Sequence, residues 1–253
     1  AGGTSKKGTT VDGFEFTYFE RVLSTHILTA LLWDRLVSSG TTATDDQPSR
    51  VVTTSGLLYM FVKQDAATIK TWLQDVADSQ IENRTACKGP PHQACTGLAA
   101  AGSNSAWCQL WARAMGERAQ KANAPVLFVT TSPGNSTDTN ISKEMMPAWL
   151  SAIVGTLAGM IMGAHKAVDG SLSNVAACVL DTSVLSQGAF LGPLQTTYGP
   201  PSIVSMDGGT GGDNNNIDED TKRWKAVVGP AAIEVGEMFV AEATKKSKLT
   251  IPI

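Results

Sequence analysis

Two β-branched runs set the frame of this chain, Arg50-Val-Val-Thr-Thr-Ser55 and Ala124-Pro-Val-Leu-Phe-Val-Thr-Thr131. Both suit a pleated, buried surface, and the second closes on Ser132-Pro133-Gly134, a stop signal. Segments of helical period surround them. Residues 12–37 place Phe16, Phe19, Leu23, Ile27, Leu28, Leu31 and Leu32 near the spacing of one helix face. A second helix is predicted over 105–120 and a third over 170–180, before a third strand at Ala189-Phe-Leu-Gly192. Strands that alternate with helices of this length predict an α/β fold around a parallel sheet.

The connections carry less pattern. A polar turn is predicted from Ser38 to Pro48, and residues 64–103 look like a loop insertion that holds one helical piece, Ala66 to Ala77. Gly208 to Asn216 forms a Gly/Asn-rich loop. The last helix, from about Asp218 to Ala243, opens on acidic residues and is followed by Lys245, Lys246 and Lys248, as its dipole favours. Pro230 is expected to kink or divide it. No internal repeat runs through the chain, and 1–253 reads as a single domain.

A net charge of −3 gives no basic footprint, which argues against nucleic acid as a partner. The chain opens on Ala1 with no charged-then-apolar leader, which fits a removed presequence or a fragment. Four cysteines do not make a disulfide scaffold. Cys87, His92, Cys95 and Cys108 offer zinc-type ligands at a spacing that matches no standard finger. A Cys87–Cys95 disulfide or free thiols is the plainer expectation, and no metal is expected.

Several segments together resemble the short-chain dehydrogenase/reductase family, in its retinol-dehydrogenase-like branch. They are Val11-Asp-Gly-Phe-Glu15 with the helix through Leu36, Ser49-Arg-Val-Val-Thr-Thr-Ser-Gly56, Ser132-Pro-Gly-Asn-Ser-Thr137, and Asp181-Thr-Ser-Val-Leu185 before Gly188-Ala-Phe-Leu-Gly-Pro193. A terminal helix with Trp224 follows in the family's order. The likeness covers most of the chain, with gaps at 64–103 and at the Gly/Asn loop. It implies a Rossmann-like doubly wound parallel sheet. The family's Gly-rich phosphate turn has no counterpart, and Ala1-Gly2 stands where its fourth strand ends. The expectation is therefore a domain without its N-terminal cofactor-binding half.

The family's proton relay uses an Asn, a Ser, and a Tyr with a Lys four residues later on one helix face. Here the Asn position falls on Arg21, and the Ser position on Gly56 beside Ser55. The Tyr and Lys positions fall on Ser105 with Gln109, or on Trp107 with Trp111. None of these side chains is a proton donor near pH 7 beside a cation. Tyr59-Met-Phe-Val-Lys63 has the right spacing but follows its strand at once, too early for the family's pair.

The resemblance thus implies a catalytically inactive protein with no catalytic residues and no cofactor, an accessory subunit of a larger assembly. The alternative is an NADP(H)-dependent oxidoreductase whose cofactor half lies elsewhere, in which case Pro133, Gly134 and Thr137 would face the nicotinamide. Met145 to Ala164 carries no charge and has Gly155, Gly159 and Gly163 every fourth residue, a flat face that suits a substrate lid or docking onto other subunits of a membrane complex. An organelle is the expected compartment, a plastid before a mitochondrion. Gly208-Gly-Thr-Gly-Gly212 lacks the Lys-Ser/Thr ending of a phosphate loop and has Asp207 and Asp213 beside it, so a surface loop is expected. The triplets Asn83-Arg-Thr85, Asn135-Ser-Thr137 and Asn140-Ile-Ser142 fit the glycosylation pattern only at the level of chance.

Overall fold

A computed structural model describes residues 10–11, 19–42, 47–56, 97–134, 136, 166–193, 198–203 and 219–253. The order of elements is a π-helical turn (Phe19–Leu23), α1 (Ser24–Thr42), β1 (Ser49–Thr54), α2 (Gly97–Lys121), β2 (Val126–Thr131), α3 (Ala167–Gly170), α4 (Leu172–Val179), β3 (Ala189–Pro193), β4 (Pro201–Ile203) and α5 (Glu219–Ser247). The described strands form one sheet in the order β1-β2-β3-β4. β1 and β2 are parallel from Ser49 opposite Val126 to Thr54 opposite Thr131, and β2 and β3 are parallel too. β4 closes the sheet antiparallel to β3.

The period of two along β2 decides the layers. Val126 and Phe128 enter a core with Trp33 of α1, Trp111 and Met115 of α2, and Phe239 and Val240 of α5. Leu127 and Val129 face the other way, onto Ala177 of α4, Leu185 and Leu191. Helices therefore cover both faces of a mostly parallel sheet, and all six residues of β2 are buried. Ahead of β3, Gln187 acts as one more rung beside β2. Its Oε1 accepts from the Phe128 amide at 2.9 Å and its Nε2 donates to the Val126 carbonyl at 2.7 Å.

The strand expectations are met, with one change. β1 is not fully buried, since only Thr53 among its six residues is buried; it ends the described sheet and has β2 on one side. Helix α1 overruns the turn expected from Ser38 and reaches Thr42. Gly40 permits this, because a Cβ there would lie 2.1 Å from the Pro125 carbonyl oxygen. The apolar positions of α1 also divide. His26, Thr29 and Trp33 turn inward, while Leu28, Leu31 and Leu32 are 59%, 66% and 45% exposed. α2 starts at Gly97, so residues 97–103, read as the end of an insertion, are its first turns.

α5 runs as one helix from Glu219 to Ser247 through Pro230, which therefore does not divide it. Loss of one amide donor is local, and the helix is held further along, where Val235, Phe239, Val240 and Ala243 are buried. Met145–Ala164, Gly208–Asn216, Tyr59–Lys63, Cys87, His92, Cys95, Asn83, Asn135, Thr137 and Asn140 lie outside the described residues. None of the helices among the described residues is long and apolar enough to cross a membrane.

Candidate functional site

Parallel α/β sheets present ligands at the carboxyl ends of their strands, and here β1 and β2 end on the same four-residue wording. Val52-Thr-Thr-Ser55 lies beside Val129-Thr-Thr-Ser132, with Thr53 opposite Thr130 and Thr54 opposite Thr131. Residues on one strand alternate between faces, so the hydroxyls divide. The Thr53 and Thr130 hydroxyls lie 3.1 Å apart on the α2 side. Thr131 donates to Asn174 Oδ1 of α4, and Thr54 Oγ1 reaches the same oxygen at 3.5 Å. Asn174 was not foreseen as part of the site. The repeated Val-Thr-Thr-Ser wording was the available signal.

Next to these strand ends, α2 and the π-helical turn bring four of the sequence-predicted positions together. Gln109 is 1% exposed, and its Nε2 donates to Ser55 Oγ at 3.0 Å and to the Gly56 carbonyl at 3.3 Å. Arg21 Nη1 donates to the Thr54 carbonyl at 3.4 Å. Arg21, Ser55, Gly56 and Gln109 therefore converge on the tip of β1. Ser105 lies one helical turn before Gln109 on α2. Trp107 and Trp111 belong to the core instead. Trp107 packs against Phe239 with ring centres 6.2 Å apart, and Trp111 meets Phe128 edge-on at 5.9 Å. Pro133 and Gly134 sit at the end of β2, where Gly134 takes φ 71° and its amide donates to Ser132 Oγ at 3.1 Å.

Cys108 is a buried free thiol and Cys178 an exposed one. Burial pushes the Cys108 thiol up, against smaller opposing effects of the Thr53 hydroxyl and Arg21. It is therefore neither a ready metal ligand nor a nucleophile. Among the described residues no cluster of His, Cys, Asp and Glu could hold a metal ion. At the other end of β1 an open cleft of about 710 Å³ is bordered by Gln47, Arg50, Cys178 and Asp181. Its polar groups engage one another. Arg50 donates to Gln47 Oε1 at 3.1 Å and to the Ala177 carbonyl at 3.0 Å, and Gln47 donates to Asp181 at 3.4 Å.

His26 is a second buried titratable group behind the site. The Trp111 indole N–H can only donate, so the His26 Nδ1 it meets at 3.4 Å must accept. The ring proton then sits on Nε2, 3.1 Å from the Leu249 carbonyl. Burial, opposed by the Leu249 bond and aided by the Arg118 charge, lowers the pKa of His26 below its ordinary 6.5. A neutral folded form means the unfolded chain binds the extra proton. This stability is complete above about pH 6.5 and is lost as pH falls through the lower folded value. Urea midpoints of the native chain should be level above pH 7 and decline below pH 6.5, with a shallower decline in His26→Gln. Equal slopes in the two proteins would remove His26 as the cause.

No family model matches the sequence, and none of the curated proteins does. Solved structures do match. One, an uncharacterised protein from Mycobacterium paratuberculosis, superposes with a TM-score of 0.59 at 18% identity over 100% of this chain. This chain spans 66% of that protein's length. What the two share is the fold, a mixed α/β arrangement around a mostly parallel sheet.

Proposed function

We propose that this chain is a catalytically inactive relative of the short-chain dehydrogenases, with a Rossmann-like doubly wound sheet, that serves as an accessory subunit of a larger organellar assembly. A membrane complex in a plastid is the proposed setting. Gln109 carries the reading. A carboxamide is no acid or base near pH 7, and this one holds Ser55 Oγ at 3.0 Å where the resemblance places a proton relay. The Thr53, Thr54, Thr130 and Thr131 hydroxyls add support, since they are engaged with one another and with Asn174. Val168, Leu172, Val175 and Val179 form an exposed apolar stripe along α3 and α4, which suits a protein neighbour. The uncharged Met145–Ala164 segment is the second proposed docking element.

The second reading, an NADP(H)-dependent oxidoreductase acting on a carbonyl or alcohol, is favoured by the turn at Pro133 and Gly134, at the carboxyl end of the inner strand β2. Calorimetric titration of NADPH into the full chain, with a reductase assay on retinal-like aldehydes, separates the two. The accessory-subunit reading expects neither heat of binding nor turnover. Binding alone would indicate a nucleotide-sensing subunit, and turnover would overturn the inactive assignment.

A further inference from the structure

Helices α3 and α4 follow one line. Ser171 between them is helical, at φ −70° and ψ −18°, and its amide donates to the Ala167 carbonyl at 3.0 Å. Gly170, Ser173 and Ala177 take the buried side, where Ala177 meets β2. Val168, Leu172, Val175 and Val179 occupy the opposite side, and at helical pitch they fall within about 60° of one another. Val168 and Val179, the two ends of this stripe, are 73% and 71% exposed.

The stripe reads the same in both directions, with steps of four, three and four residues. A second copy laid antiparallel on it therefore puts Val168 opposite Val179 and Leu172 opposite Val175, and does so twice. That is the condition for a two-fold interface, in which one patch meets itself. The charges obey the same symmetry. Lys166 precedes the first turn and Asp181 follows the last, each at the end that the helix dipole disfavours for its sign. Antiparallel copies bring Lys166 of one beside Asp181 of the other, where each meets an opposite charge and the favourable pole of its neighbour. Among the described residues Lys166 pairs with no carboxylate. Asp181 accepts from the Ser183 amide and from Gln47 and keeps lone pairs for a cation. Asp169, the one charge between Lys166 and Asp181, lies off the stripe. One lysine against two aspartates is a poor match for an anionic lipid surface.

We propose that this stripe is the interface of a two-fold dimer, in which α3 and α4 of two copies of this chain lie antiparallel. The stripe is short, so the dimer belongs to the weak, concentration-dependent class. The proposal names a neighbour for the stripe and is otherwise independent of the accessory-subunit reading. An active enzyme could dimerise in the same way, so the outcome of NADPH titration does not bear on it.

Sedimentation velocity of the full chain, from low micromolar to about 1 mM, should show a monomer that gives way to a dimer. Val175→Asp would place two carboxylates beside the two-fold axis, and should weaken the dimer by about a hundredfold or more. Val175 is exposed, so the melting temperature of the dilute variant should stay at the native value. A second measurement fixes the register. Val168→Cys and Val179→Cys are each made in a Cys178→Ser background, and the two proteins are mixed and oxidised. Peptide mass spectrometry should find a disulfide between positions 168 and 179. Within one chain these positions are roughly 16 Å apart along the helical line, too far for that bond. Neither variant alone should join its own kind at the new cysteine. A monomer at every concentration, a dimer undiminished by Val175→Asp, or a mixture without the 168–179 bond would each overturn the proposal. A monomer that floats with phosphatidylcholine vesicles would also overturn it and assign the stripe to lipid.

Discussion

Gly236→Val is expected to destabilise the chain by about 3 kcal/mol or more, the upper part of the range for overpacking a core. A Cβ at Gly236 would stand 2.3 Å from the Leu110 carbonyl oxygen and 2.8 Å from the Ala114 methyl. The first obstacle is backbone in the middle of a helix, so no rotamer change relieves it. α5 would have to move away from α2, and the buried residues on either side, Val235 and Phe239, would lose contact with Leu110, Trp111 and Met115. The Arg118–Glu237 pair spans the same crossing and would be pulled apart with it. At roughly 2–4 °C per kcal/mol for a chain of this size, the melting temperature should fall by about 6–12 °C. Gly236→Ala should cost less but keep the sign. A Val variant that melts within a degree of the native chain would mean that the two helices do not cross this closely.

The parts of this fold that were legible in the sequence are those with a long or regular signal. β1, β2 and β3 stand as β-branched or apolar runs, and α2, α4 and α5 have helical spacing between them. What failed was governed by tertiary contact. α1 continues through Ser38 and Ser39 because Gly40 lets it approach Pro125, and no local propensity announces that approach. Leu28, Leu31 and Leu32 have the spacing of a buried face, yet His26, Thr29 and Trp33 take the interior. A buried histidine was invisible because its partners, the Trp111 indole and the Leu249 carbonyl, are distant in sequence. β4 has three residues and begins with Pro201, too short for any periodicity to register.

The site was legible in part. Arg21, Ser55, Gly56 and Gln109 were each reached through position in an alignment, and the structure brings all four to one strand end. The choice between Ser105 with Gln109 and Trp107 with Trp111 could not be made from spacing, since both pairs sit four residues apart. Their contacts separate them, since Gln109 and Trp111 are both buried. Gln109 faces the tip of β1, while Trp111 faces Phe128 and the inner helices. Asn174 escaped because an Asn within an apolar helical segment looks like an ordinary surface residue. Its role depends on two threonines brought together by strand pairing.

Trp111→Ala should be the most damaging single truncation in the core, at about 4 kcal/mol, with a fall of roughly 8–16 °C in melting temperature. The side chain is 0% exposed and stands between the sheet and two helices. Its ring meets Phe128 edge-on at 5.9 Å and His26 edge-on at 6.3 Å, so truncation opens a cavity against β2 and α1 together. Trp107→Ala, at the edge of the same cluster, should cost less, because Trp107 is 6% exposed. Trp111→Phe separates volume from hydrogen bonding. It keeps most of the packing but leaves His26 Nδ1 without its donor, which should cost about 1–3 kcal/mol. The pH dependence supplies a second check. In the native chain the indole N–H occupies the nitrogen that a second ring proton would need, which favours neutral His26. Without it the folded pKa should rise toward 6.5, and the stability lost on acidification should shrink. A Trp111→Phe variant that loses stability in acid as steeply as the native chain would show that burial alone holds His26 neutral.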